Sequence, residues 1–340
     1  MSNVSLKLAK ELVFHESPQT SPQNSVVEAT ALAAYLEPFI RQLDITENSR
    51  NTYRRCLQRF FAWLCKRSQQ EALTKEHIVR YKEYLDAEGL KPFTRSTYLV
   101  AVRRFFEWLE AHLIYPNVAK GIKGIRKLTK SHSKDSISKE GVTRLLGKID
   151  RNTPMGTRDF AIIFLLVHTG LRLIEVARAL ASDIEFAADQ NTYLLWVRGK
   201  GREGKDSFVV LSAAVVATLE MYLSSRKVKL GCSRKPLFAS LSQRNREEAL
   251  TVFSLSRLIK RRMIKAGIKT RRITAHSLRH TFGVLAIEAG ASLYEVQLAM
   301  RHLSPQTTQV YLGDIEHKKR LEGSPEKRVS EFLNFEQLKN

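Results

Sequence analysis

The segment HSLRH places His276 three residues before Arg279 and four before His280. On a helix all three share one side. An imidazole beside a planar guanidinium suits a phosphate, because both can direct N–H groups at its oxygens. The pair His276 and His280 has the spacing of two metal ligands. No third ligand accompanies them, and Arg279 would set a positive charge beside the ion. The phosphate reading is therefore preferred, and no metal is expected.

Three further stations have usable chemistry. In HTGLRLIEV, Arg172 follows a helix-ending Thr-Gly and Glu175 lies one turn later. Alone, the two read as a surface ion pair of small worth. In VRGKGREGKD, Lys200 stands between two glycines at the tip of a hairpin, where a side chain can approach a ligand; alone, it reads as a basic turn. In RHLSPQTTQVYLG, His302 precedes Tyr311 by nine residues, and Pro305 is set to open a short helix carrying the tyrosine. A phenol with a pKa of about 10 attacks poorly at neutral pH unless its surroundings help it. Tyr294, in the first turn of the preceding helix, is the rival tyrosine and reads as core or surface.

These side chains need elements to hold them. ISKEGVTRLLGKI, TRDFAIIFLLVHTG and RLIEVARAL read as successive helices, the second ended by Gly170. TYLLWVRGKGREGKDSFVVLS then switches to the period of strands around a Gly- and Lys-rich turn. Helices resume from about Ala213 to the end. Gly290 stops one helix, and Ser292 with Glu295 forms a capping box for the next.

Upstream, residues 1–27 are rich in Ser, Gln, Asn and Pro and read as a loose arm. Residues 28–123 are helical throughout and contain an internal echo. SRNTYRRCLQRFFAWL and TRSTYLVAVRRFFEWL agree at Arg50/Arg95, Thr52/Thr97, Tyr53/Tyr98, Arg59/Arg104, Phe60/Phe105, Phe61/Phe106, Trp63/Trp108 and Leu64/Leu109. Two similar hairpins in a compact domain of four or five helices follow, with the aromatics in the core. Arg50, Asn51, Arg54, Arg95 and Ser96 are placed near helix starts, where side chains and backbone N–H groups meet phosphates. Residues 124–136 form a basic linker. In KGIKGIRKLTKSHSK, Lys123, Arg126 and Lys127 can lie against a phosphate backbone.

Charge agrees. Lys and Arg number 56 against 34 acidic residues, a net charge of +22, which favours a polyanion. No basic amphipathic helix or lipidation motif argues for a membrane, and the longest apolar run, FAIIFLLV, is too short to span one. No secretory signal is recognisable, and Cys56, Cys65 and Cys232 are odd in number with no C-x-x-C, so a reducing cytoplasm is expected.

In order, the stations are T-G-L-R-x-x-E, a strand–G-K-G–strand hairpin, H-x-x-R-H-T, and R-H followed by a tyrosine. This order resembles the catalytic domain of the tyrosine recombinases, the phage-integrase and Xer family, over about residues 138–314. The preceding helical domain resembles that family's core-binding domain. The resemblance implies a mainly α fold with a small antiparallel sheet: a two-domain DNA clamp with a SAM-like domain at 28–123, a catalytic domain at 137–316, and a tail at 317–340 whose helix contacts a protomer in cis or in trans. It implies Arg172, Lys200, His276, Arg279, His302 and Tyr311 as catalytic residues, with Glu175 in support. Arg172, Arg279 and His302 would stabilise the phosphate, His276 would be general base and Lys200 general acid. Lys205, on the same hairpin, is the alternative lysine. No ATP, metal ion or other cofactor is implied, because a 3′-phosphotyrosyl link stores the bond energy. The implied partners are a duplex DNA site and a self-associated tetramer. Relaxation of the type IB topoisomerase kind and DNA-binding regulation without catalysis stay open as alternatives. The family usually has Leu-Gly-His where this chain, within AMRHLSP, has Met300-Arg301-His302; Arg301 stands in place of the glycine, where it could contact phosphate or alter the turn.

Overall fold

In the computed structural model, residues 31–66, 73–125, 135–198, 204–268, 270, 272–302, 304–305, 307–308 and 329 are described. Lys200, Arg126, Lys127 and Tyr311 lie outside the described residues, as do the arm at 1–27 and the tail helix apart from the helical, exposed Val329. The chain divides into two compact units, Met1–Leu128 and Thr129–Asn340.

The described part of the first unit is helical: α1 (Leu36–Gln42), α2 (Glu47–Cys65), α3 (Lys75–Ala87) and α4 (Pro92–Ala111). The two echoing segments lie on α2 and α4, and their aromatics form the core. Phe60, Phe61, Trp63, Phe105 and Phe106 are all buried. Phe60 meets Phe106 edge to face at 6.2 Å, and Phe61 meets Phe105 at 5.6 Å. Helix α3 covers the first copy, with the Tyr81 ring 4.9 Å from Phe60. Helix α1 covers the second, with the Phe39 ring 5.4 Å from Phe105 and 5.8 Å from Trp108.

The repeat is also reciprocal in its polar contacts. The Arg59 guanidinium lies 5.3 Å from the Tyr98 ring, and the equivalent Arg104 lies 5.8 Å from the Tyr53 ring. Each arginine thus stacks on the tyrosine of the other copy, a contact of about 0.5–1 kcal/mol near a surface. A sequence echo has become a local two-fold relation between α2 and α4.

The second unit opens with Ile137, whose N–H donates to Thr281 Oγ1 at 2.9 Å. Helix α5 (Lys139–Gly147) is capped by Ser138, whose Oγ accepts from the Gly141 N–H. Helix α6 (Pro154–Thr169) has Thr153 as its cap and proline in its first turn, and it buries nearly its whole circumference. It ends where Gly170 turns left-handed at φ +59°. A Cβ at Gly170 would stand 2.4 Å from the Phe282 ring, so both the conformation and the space require glycine. The short α7 (Leu173–Arg178) follows.

The hairpin expected from the sequence belongs to a three-stranded antiparallel sheet, β1 (Ile184–Ala187), β2 (Thr192–Val197) and β3 (Ser207–Leu211), in that order. Val197 pairs with Ser207, which fixes the base of the connection that contains Lys200. Helices α8 (Ala213–Ser225), α9 (Val252–Lys265), α10 (Ala275–Glu288) and α11 (Leu293–Met300) complete the described unit. Helices resume at Ala213, and a long connection that the sequence reading did not mark separates α8 from α9. Residues 226–251 are mostly irregular, with one short 3-10 turn at Gln243–Asn245; Gly231 turns left-handed at φ +75° and Pro236 has no N–H to give a helix. The capping box of Ser292 and Glu295 is present, Glu295 Oε2 accepting from the Ser292 N–H at 2.7 Å.

Asp159, fully buried on α6, accepts from Arg158 at 2.8 Å and from Arg262 of α9 at 2.7 Å. Losing the shared Asp159 carboxylate would leave two largely buried guanidiniums uncompensated, at about 3–5 kcal/mol.

Candidate active site

Helix α10 carries His276 and Arg279. Thr274 caps it, and over Ala275–His280 only His276 is exposed, while Arg279 is 3% exposed. The His276 and His280 rings stand edge to face at 4.9 Å. The Arg279 guanidinium reaches two backbone carbonyls, Gly170 O at the end of α6 and Met300 O at the end of α11. One buried guanidinium therefore ties the ends of α6 and α11 to α10.

Arg172 makes the matching link. Glu175 is 1% exposed and completes a capping box, with Oε2 accepting from the Arg172 N–H at 2.7 Å. Its Oε1 accepts from Arg172 Nη1 at 2.9 Å. Arg172 Nη2 donates to the Arg301 carbonyl at 3.2 Å. The guanidiniums of Arg279 and Arg172, from separate helices, thus bind the consecutive carbonyls of Met300 and Arg301, in the turn that leads to His302. Arg172 remains about a third exposed, with 32% of its side chain accessible.

The expected glycine position is the most informative departure. Arg301 adopts φ +53°, ψ +49°, the left-handed conformation that the α11 cap requires. A side chain there costs roughly 1 kcal/mol or more relative to glycine. Its guanidinium turns inward, Nη2 donating to Glu175 Oε2 at 2.7 Å and Nη1 to Ala299 O at 2.9 Å. Burial pulls the Arg301 guanidinium below its ordinary pKa and Glu175 pulls it back up. Only 12% of this side chain is accessible. Its charge is directed at Glu175, so the turn keeps its shape rather than gaining a surface phosphate contact.

His302 is half-buried, and its Nδ1 is 2.9 Å from the hydroxyl of Thr308, which is fully buried. Pro305, Thr307 and Thr308 are helical, as the proline position predicts. The contact holds the imidazole through Nδ1. Sequence reading missed Thr308; its six-residue separation from His302 matches no helical spacing, since a turn intervenes. Tyr294 is 68% exposed on α11 and lies outside this group.

Lys205 pairs with Asp183, a carboxylate 3% exposed that also accepts from the Leu180 N–H at 3.0 Å. Asp183 was not singled out in the sequence. The pair ties the returning side of the hairpin to the residue before β1, and Lys205, Glu175, Arg178 and Arg198 line one cleft.

The expected phosphate contacts of the first unit are less well placed. Arg50 stands in the first turn of α2 but donates to Leu43 O at 3.0 and 3.2 Å. Asn51 and Arg54 fall beyond that turn, so the expectation that they share the helix-start N–H groups is corrected. Arg54 forks onto Glu37 at 2.7 and 3.0 Å and also donates to Asn51 Oδ1. That fork raises the Arg54 pKa and lowers the Glu37 pKa. Arg95 pairs with Asp86. Ser96 is half-buried and Lys123 is exposed. The repeat explains the pattern: each copy turns its early arginine back onto the segment before its helix.

Among the described residues, no group of three or more His, Cys, Asp or Glu side chains could hold a metal ion, and no helix is long and apolar enough to cross a membrane.

The sequence pattern of the Phage integrase family matches residues 135–317, and that of the phage integrase N-terminal SAM-like domain matches residues 32–112. The chain is 28% identical over 284 residues to tyrosine recombinase XerD of Vibrio vulnificus (strain YJ016), covering 82% of this chain and 90% of the relative. It is 29% identical over 314 residues to tyrosine recombinase XerC 2 of Ralstonia nicotianae, covering 87% of each. Among solved structures, the XerH recombinase bound to a palindromic difH substrate, in a post-cleavage complex, aligns with a TM-score of 0.73 at 19% identity, over 90% of this chain and 98% of that one. A lambda integrase tetramer bound to a Holliday junction aligns with a TM-score of 0.62 at 16% identity, over 85% and 78%. At those identities the structures share the fold, mostly helical with one small antiparallel sheet. With more than half of its length matched by the family's catalytic pattern, the chain belongs to the phage integrase family.

Proposed function

We propose that this protein is a site-specific tyrosine recombinase that cuts and rejoins duplex DNA through Tyr311. The observation that carries the reading is the convergence of Arg172 and Arg279 on the Met300 and Arg301 carbonyls beside His302. Two guanidiniums and an imidazole held around one turn suit the oxygens of a phosphodiester, whose negative charge grows during attack.

In the proposed reaction, the Tyr311 hydroxyl oxygen attacks phosphorus while His276 takes its proton. The bond from phosphorus to the 5′ oxygen breaks, and Lys200 protonates that oxygen as it leaves. Arg172, Arg279 and His302 stabilise the pentavalent phosphate, and Glu175 orients Arg172. Attack by the 5′ hydroxyl of a second duplex on the 3′-phosphotyrosyl bond reverses these steps and releases Tyr311. Lys205 is committed to the buried Asp183, which supports Lys200 as the proton donor. The DNA partner and self-association follow the DNA-bound relatives, and we extend them to a tetramer joining two duplexes in the cytoplasm. Lys123, Arg126, Lys127 and, near the starts of α2 and α4, Arg50 and Arg95 are the proposed backbone contacts.

A plasmid carrying two copies of the target site tests the reading. The site can be enriched from a random-sequence library by the protein's own binding. Exchange between the copies, undiminished by EDTA, is expected. Relaxation of the plasmid without exchange would instead assign the topoisomerase-like activity.

A further inference from the structure

We infer that Arg301 is a positioning residue for DNA cleavage, acting through Glu175 on Arg172 and through its own backbone on His302; this rests on the recombinase reading. Three observations combine. Arg301 occupies a left-handed conformation that glycine would adopt without strain, so the side chain is kept at a conformational cost. Its guanidinium reaches Glu175 Oε2, the oxygen that also receives the Arg172 N–H. Its carbonyl receives Arg172 Nη2. Arg301 and Arg172 therefore grip each other twice, once through the shared carboxylate and once directly.

The electrostatic consequence is specific. One buried carboxylate serves two guanidiniums, so the group retains a net positive charge. Without Arg301, Glu175 would neutralise Arg172 alone, and the charge offered to a phosphate would fall. The loss would appear in the chemical step, where phosphate charge grows, rather than in DNA affinity. The second consequence is geometric. Glu175 fastens the end of α11 to α7 through Arg301, so the turn entering His302 is fixed to the helix that carries Arg172.

The test measures covalent adduct formation on a nicked duplex carrying the enriched site, under single-turnover conditions, together with DNA affinity and thermal unfolding. R301G should fold with nearly unchanged thermal stability, because relief of the left-handed strain offsets loss of the ion pair. It should bind the duplex within about twofold of wild type but cleave at least about tenfold more slowly, a barrier change of roughly 1.4 kcal/mol or more. R301K, which keeps the charge but not the planar fork, should fall between. In an E175Q background, R301G should have less than half its effect on the logarithm of the rate. A wild-type rate in R301G overturns the role of Arg301 and leaves the recombinase reading standing. Equal losses in affinity and rate, or an undiminished effect in the E175Q background, also overturn it. No adduct from the wild-type chain on its enriched site overturns both.

Discussion

At the scale of single residues, the site is built on hydrogen bonds that orient rather than on unusual side-chain chemistry. Arg279 is buried and anchored to two carbonyls, which leaves it little rotamer freedom to lose when a phosphate arrives. One hydroxyl orients the His302 ring through Nδ1. Replacing Thr308 with Val keeps the shape and removes the partner of His302 Nδ1. Cleavage should slow about three- to tenfold, the rate equivalent of roughly 0.7–1.4 kcal/mol for one hydrogen bond, with DNA affinity unchanged. Single-turnover cleavage measures this, and an equal loss of affinity would show that Thr308 supports the fold instead. Residues such as His276, Arg279 and His302 were legible because their types and order carry the chemistry. Thr308 and Asp183 were not, because each matters only through a contact made across a turn or an element boundary.

At the scale of elements, helix ends do the positioning. The C-terminal ends of α6 and α11 supply the carbonyls that Arg279 binds, and the cap of α7 supplies Glu175. Gly170 is the joint between α6 and α7. Gly170→Ala combines a left-handed alanine with a Cβ forced against Phe282, at roughly 2–4 kcal/mol in all. Thermal unfolding should shift down by about 5–10 °C, and a shift near zero would show that Phe282 moves freely. The helices were readable from caps and periodicity: Ser138, Gly170, Ser292 and Pro305 each mark the boundary or first turn their types suggest. The strand Ile184–Ala187 was not, since four residues are too few to establish alternation. Arg54 of α2 also misled, because a sequence shows where a cation lies along a helix but not that Glu37 faces it.

At the scale of the whole molecule, charge and duplication set the design. A net charge of +22 persists after the internal ion pairs are made, since pairing conserves net charge. Binding to duplex DNA should therefore weaken steeply with salt. A slope of log affinity against log salt steeper than about −4 is expected, over a hundredfold loss between about 50 and 200 mM, and a slope shallower than about −2 would deny an extended backbone contact. The first unit contributes a duplicated helix pair sealed by reciprocal arginine–tyrosine stacks, and the second contributes the reacting groups. Both belong to one account only if the tyrosine nine residues after His302 carries the DNA. Trapping the adduct on a nicked duplex, digesting the protein and sequencing the nucleotide-bearing peptide by mass spectrometry tests this most directly. The account predicts a 3′-phosphate linked to Tyr311 and no adduct in Y311F, whereas a link to Tyr294, to a serine, or an undiminished adduct in Y311F would contradict it.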